Sequence, residues 1–237
     1  MSAQISFENC LTFINWQWQG GTERLAAAEA VARNAVTIAR EAGSGAHTIA
    51  EKLAARLQAQ ASPTARPWTV FDRNLIEQVL EDHHLPARLA RHLSEDRTTQ
   101  FEDIMNDLFD VHPPSWELVR QTAETILRLA HLGKVILIGR GANLVTARLP
   151  NVLHVRLVAP LEQRIAHMQE LRKLDRREAA ALVRREDRER ARYLKRYFKA
   201  DVGNPLLYHL VINTGLVGYD EAVELIVSAL RGGPAQA

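Results

Sequence analysis

Five short apolar runs, each followed by a loop or a stretch of helical character, constrain this chain more than any other feature. AVTIA (35–39), WTVF (68–71), KVILIG (134–139), NVLHVRLV (151–158) and HLVIN (209–213) are four to eight residues long. Runs that short and that continuously apolar suit strands covered on both faces. Helices between them make parallel crossovers the natural connection, so the expected fold is α/β, a doubly wound, parallel five-stranded sheet. Helices are expected from the loop after the first run to about Gln60, from Pro160, from Asp175 towards Phe198, and over Tyr219–Leu230. Residues 73–132 read as a mostly helical insert, with starts at Pro86 and at Pro113-Pro114-Ser115.

Size and charge narrow the class. A chain of 237 residues, 46% apolar, can bury the core of one domain and still carry an insertion. Its formal charge of +2 gives no overall basic character, so nucleic acid is not an expected partner. Cys10 is the single cysteine, which excludes an internal disulfide framework. No apolar run approaches the roughly 18 residues that span a bilayer. Met1–Cys10 also lacks a basic start followed by an apolar core, and a soluble cytoplasmic protein is expected. Residues 1–34 read as a helical N-terminal extension to a domain over 35–232. Phe7, Leu11, Phe13, Ile14, Trp16 and Trp18 need cover there, from a homo-oligomer contact or from lying as a strap across the domain.

The first run leads into REAGSGAHTIAEKLA (40–54), a strand, a glycine loop and a helix in immediate succession. The phosphate-binding pattern G-x-x-x-x-G-K-[ST] uses glycines to curl backbone N–H groups around phosphate oxygens and a lysine to neutralise the outer phosphates. With Gly45 as its second glycine, Arg40 stands at the first, Ala46 at the lysine, and His47 at the hydroxyl, with Thr48 one step later. The strict motif fails. What survives is Gly43-Ser44-Gly45 before a helix N-terminus, which is either an anion site or a plain tight turn.

VTIAREAGSGAHTIAEKLA, FDRNLIEQV, VILIGRGANLV, and REDRERARYLKRYF followed by NPLLYHLVINT, taken in that order, resemble the cytidylate-kinase-like family. The resemblance covers about Val36 to Leu230 and implies a P-loop kinase fold related to the nucleoside monophosphate kinases. It also implies ATP and Mg²⁺ as cofactors, nucleotide substrates, and an arginine-rich lid. A loop without lysine is a trait of this branch, whereas cytidylate kinases themselves carry the lysine. They also have an aspartate where this chain has Gly141, so a cytosine preference does not carry over.

The resemblance assigns roles that the residues can fill chemically. Arg40, Gly43, Ser44, Gly45, Ala46, His47 and Thr48 would hold the nucleotide, with Arg40 or lid arginines in place of the missing ammonium. Asp72, followed by Arg73, and Arg140 would hold the acceptor; an N-cap for Asp72 and a surface place for Arg140 are the plain alternatives. The lid region, 175–200, holds eight basic residues against three acidic ones over Arg184–Lys199. Arg184, Arg188 and Arg192 fall on one helix face and would close over the transferring phosphoryl group; a solvated helix with pairs such as Glu186–Arg190 is the alternative. The third strand ends without the acid that commonly helps hold Mg²⁺, and Glu41 and Asp72 are the nearest carboxylates. Asn213-Thr214 resembles the segment bordering the adenine ring. No metal site is expected at His83, His84 and His92. The expected activity is an ATP-dependent nucleoside monophosphate kinase, and the rival is a non-catalytic nucleotide sensor.

Overall fold

The computed structural model describes residues 33–62, 65–72, 103–105, 108 and 117–232. Strand β1 (Ala35–Arg40) ends in the glycine loop, and helix α1 (Ala46–Gln58) starts directly after it. Then come β2 (Thr69–Phe71), α2 (Glu117–Leu132), β3 (Val135–Ile138) and the short α3 (Ala142–Val145). Strand β4 (Val152–Val158) leads to α4 (Leu161–Arg172) and the long α5 (Arg176–Phe198), and β5 (Leu210–Asn213) and α6 (Tyr219–Arg231) close the chain. Every expected strand is present.

All five strands run parallel in one sheet, in the order β2-β3-β1-β4-β5. Central β1 is held on both sides, with Ala35 opposite Val135 on β3 and Val152 on β4. Side chains alternate across the sheet, so each strand feeds two cores. Val36, Ile38, Ile136, Ile138, Leu153 and Val155 pack against α1 and α6, where Ile49, Leu53 and Ile226 are fully buried. Phe71, Val135, Leu137 and Val152 pack against Ile126, Leu127 and Leu129 of α2 on the other face. Burial of each such side chain is worth about 1.5–3 kcal/mol. Helix α2 thus covers the sheet, although its residues fall inside the stretch read as an insert. The expected extension over 1–34, and most of that insert, lie outside the described residues.

Two positions in β4 depart from the continuous apolar reading. His154 and Arg156 are 6% and 8% exposed, on the α2 side of the sheet. Thr37 Oγ1 lies 2.9 Å from His154 Nδ1, and the His209 ring stacks on His154 with centroids 4.9 Å apart. Arg156 lies over the Tyr208 ring. These partners come from β1 and from the approach to β5, so the polar pair is satisfied only once the sheet has formed.

Candidate active site

Parallel strands bring their C-terminal ends to one edge, and the chain places Arg40, Asp72, Gly139-Arg140, Ala159 and Thr214 there. The loop between β1 and α1 is fixed by main-chain geometry. Glu41 N–H continues the ladder to Leu157 O at 3.0 Å. Ser44 donates both its N–H and its hydroxyl to Glu41 O, at 3.3 and 2.9 Å, and Thr214 Oγ1 donates to Ser44 O at 3.0 Å. Thr214 therefore pins the loop. Gly43 and Gly45 both sit at φ +81°; a Cβ on Gly43 would strike the Arg164 carbonyl, and one on Gly45 the Tyr219 ring. Glycine is required at both by conformation and by space.

Among the described residues, the result is an unsatisfied row of donors. Gly45 caps α1 without a side-chain hydrogen bond, and the first intrahelical bond runs from Ile49 N–H to Gly45 O. The N–H groups of Ala46, His47 and Thr48 therefore have no acceptor within the helix, and the positive end of its dipole adds to them. They face a cavity of about 450 Å³, into which Arg172 also reaches. A second cavity of about 470 Å³ lies on the β3 side, lined by Arg140, Asn143, Arg185 and Tyr193. Arg40, His47, Asp72, Arg172, Glu186 and Arg190 line both.

Arg40, the last residue of β1, sits at this junction with its guanidinium laid on Gly139, where any Cβ would collide with it. Burial lowers its pKa to about 10, helped by Arg190 and less by Arg140 and opposed by Glu186 and Asp72. It remains a cation at neutral pH. Arg140 at φ +57° directs its guanidinium over the Tyr193 ring, 5.5 Å from the centroid.

Helix α5 is attached to the loop through one carboxylate. Asp187 accepts from Ala42 N–H at 2.7 Å, from Arg164 Nη1 at 2.6 Å and from Arg190 Nη1 at 3.1 Å. Arg164, 8% exposed, also donates to Ala159 O and Ala42 O and lies 3.4 Å from Glu41. Arg190 is held further by Glu186 at 2.5 Å. An Asp175–Glu178 capping box fixes the start of the helix.

Most of the expected site residues are brought together: Arg40, Gly43 to Thr48, Asp72 and Arg140 all line one or both cavities. Arg184, Arg188 and Arg192 are not among them. They are exposed and line neither cavity, while Arg185 and Arg190 do. The phase of α5 is set by Val183, Asp187 and Leu194, which turn inward, so the basic stripe faces solvent, where water and salt screen its self-repulsion. Arg172, Asn143 and the Arg164–Asp187 pair were not singled out from the sequence, where nothing local distinguishes them, and Arg190 was read there as the partner of Glu186, a pair the structure contains. Arg73, His83, His84 and His92 lie outside the described residues.

The donors suit a polyphosphate better than a protein-held metal. Among the described residues no group of three or more His, Cys, Asp or Glu could hold a metal ion. Glu41 is engaged by Ala159 N–H at 3.1 Å and by Arg164, and Asp72 faces His47 at 3.4 Å. Mg²⁺ would enter with the phosphates and waters of a nucleotide.

Comparison with known proteins decides the family. Residues 35–216 match the sequence profile of the cytidylate kinase-like family. The chain belongs to that family. Among solved structures, an uncharacterized protein from Eubacterium ventriosum superposes with a TM-score of 0.65 at 20% identity, over 84% of this chain and 99% of that one. A shikimate kinase from Bacteroides thetaiotaomicron gives 0.45 at 12% identity, over 83% and 98%. A curated uronate isomerase from Corynebacterium glutamicum is 32% identical over 111 residues, 47% of this chain. The chain spans about a fifth of that protein's length, 21%. The cytidylate kinase-like domain has a five-stranded parallel α/β fold, and no described helix is long and apolar enough to cross a membrane.

Proposed function

We propose that this protein is a nucleoside-triphosphate-dependent phosphotransferase acting on a small anionic acceptor. The observation that carries the reading is the free donor row at Ala46–Thr48, which faces one cavity while Arg40 stands where that cavity meets the second. The loop cavity would take the ATP polyphosphate. Arg40 and Arg190 would supply the charge that a loop lysine usually brings, since phosphoryl transfer needs alignment and neutralised charge more than covalent help. Exclusion of water by the α5 side would strengthen both. Nucleoside monophosphates are the acceptors that family membership suggests. The partial match to a uronate isomerase adds uronates, which are polyhydroxy acids, to the acceptors worth testing.

The absence of lysine at Ala46 favours a second reading, nucleotide binding without turnover. The test has two stages. ATP-Mg²⁺ should raise the melting temperature; ligand at 100 times its Kd stabilises by about 2.7 kcal/mol. ADP release should then be followed with CMP, dCMP, UMP and D-glucuronate. Binding without ADP release from any acceptor would leave the sensor; no binding of ATP or GTP at millimolar concentration would remove both readings.

A further inference from the structure

The junction between the two cavities holds a pair of groups for which transfer to a phosphate acceptor has no use. His47, the second residue of α1, points Nε2 at Asp72 Oδ2, 3.4 Å away. The imidazole is half-exposed, at 52%, and the carboxylate is mostly covered, at 18%. Both line both cavities, so they stand where a reacting oxygen on the acceptor would meet a phosphoryl group on the donor. A phosphate nucleophile is already ionised and gains nothing from a base. An alcohol is different. Its oxygen is neutral until attack and needs a proton acceptor within reach.

The rest of the acceptor cavity fits the same division. Arg140, Arg185 and Glu189 line that cavity and not the loop cavity, so two of the arginines lie away from the point of transfer. There they can hold an acidic group at a distance from the reacting oxygen. Asn143 lines this cavity too, 3% exposed, and among the described residues its Nδ2 has no hydrogen-bond acceptor. A buried amide without a partner points to a polar ligand.

Resting on the phosphotransferase reading, we propose that the acceptor carries a free hydroxyl as well as an acidic group, and that His47, positioned by Asp72, is the general base for that hydroxyl. Asp72 takes the Nε2–H hydrogen bond and selects the tautomer with a lone pair on Nδ1. Nδ1 removes the hydroxyl proton as the oxygen bonds to the γ-phosphorus of the nucleotide. The bond from that phosphorus to the β–γ bridging oxygen breaks, and its electron pair leaves on the nucleoside diphosphate. The imidazolium, facing the Asp72 carboxylate, then returns the proton to water. A 3.4 Å contact is usual for such a pair before substrate closes the site. The charged groups facing His47 are Asp72, Glu51 one turn along α1, Arg40 at the end of β1, Arg172 on α4, and Glu186 and Arg190 on α5.

The experiment uses the full chain with ATP-Mg²⁺ and two acceptor classes, nucleoside monophosphates and the polyhydroxy acid D-glucuronate, from pH 5.5 to 9, with phosphorylated products read by phosphorus NMR. The hydroxy acid should be phosphorylated, and kcat should fall on the acid side along a single ionisation. His47→Gln should lower kcat by about 10²-fold or more and abolish that acid limb. Its ATP-induced melting shift should match that of the parent protein. Asp72→Asn should also reduce kcat and displace the limb. Since His47 is half-exposed, the Gln variant is expected to fold, and its melting temperature checks this. Phosphorylation of monophosphates alone, ATP binding with no product from the hydroxy acid, or a His47→Gln variant that keeps both rate and acid limb overturns the base assignment. Each of those outcomes leaves nucleotide binding standing. An unmoved melting curve with ATP would bring down the phosphotransferase reading and this inference together.

Discussion

The loop at Glu41–Gly45 and helix α5 reach the same pair of cavities by opposite means. The loop uses almost no side-chain chemistry: two left-handed glycines, a serine turned back on its own backbone, and a threonine from beyond β5. Helix α5 uses little else, holding the loop through Asp187 and facing the cavities with Arg185, Glu186, Glu189 and Arg190. Backbone geometry of the first kind is set locally and tolerates nothing larger than hydrogen at Gly43. Charge geometry of the second kind depends on which way a helix is rotated, and that is a tertiary decision.

The largest expected effect breaks the loop side. Gly43→Ala must hold a side chain at φ +81° and push its Cβ into the Arg164 carbonyl, backbone that cannot swing away. The cost should be about 3 kcal/mol, measured by urea denaturation, and the ATP-induced melting shift should vanish with it. A variant of parental stability that still binds ATP would show the loop to be an ordinary turn.

Next comes the joint between the two regions. Asp187→Ala leaves the Ala42 N–H and the buried Arg164 guanidinium without their shared acceptor. A loss of about 2–3 kcal/mol is expected. In a double-mutant cycle with Arg164→Met, the paired variant should recover much of it, because no buried charge is then stranded. Strict additivity of the two changes would mean that α5 and the loop are not coupled.

This contrast also explains what could be read in the sequence. The strand runs and Gly43-Ser44-Gly45 are legible because their meaning is local: apolar density marks strands, and glycines between a strand and a helix mark a backbone turn. Helix α5 was recognisable as a helix, but its basic residues occur all around it, and only Ala179, Val183 and Leu194 are buried to set its phase. The lid face was therefore assigned to Arg184, Arg188 and Arg192, whereas the α5 arginines that line the cavities are the exposed Arg185 and the partly covered Arg190. His154 and Arg156 were hidden for a related reason. Their partners Thr37 and Tyr208 are remote in sequence, and an alternating polar pair inside NVLHVRLV passes for part of an apolar run.

Acid should separate the regions further, because it attacks the sheet beneath the loop through His154. Burial, with smaller help from His209 and Arg33, lowers the His154 pKa from an ordinary 6.5 to about 3. The unfolded chain therefore takes up this proton first. The stability it represents is complete above about pH 6.5 and drains away as the pH falls towards 3. Between pH 7 and pH 5 the loss should reach up to about 2 kcal/mol in urea midpoints. His154→Gln should flatten that slope, and an unchanged slope would place the acid sensitivity elsewhere.

The smallest effect tests the lid assignment by what does not happen. Alanine at Arg184, Arg188 and Arg192 together removes three exposed charges that line neither cavity. Exposed substitutions of this kind change stability by less than about 0.5 kcal/mol each. Without contact to the reacting groups, turnover should change by less than about threefold, within what a screened surface charge can do to substrate approach. Arg190→Met is the counterpart: it removes one inward charge, leaves Glu186 and Asp187 without it, and should lower kcat at least tenfold with only a modest change in melting temperature. If the triple variant loses activity instead, α5 must rotate by roughly a quarter turn when the nucleotide binds, bringing the outer stripe over the phosphates. The Asp187 bond to Ala42 would then have to break on closure, so Asp187→Ala would bind ATP more tightly even as it melts earlier. Measuring ATP affinity and melting temperature on that one variant separates a fixed α5 from a swinging one.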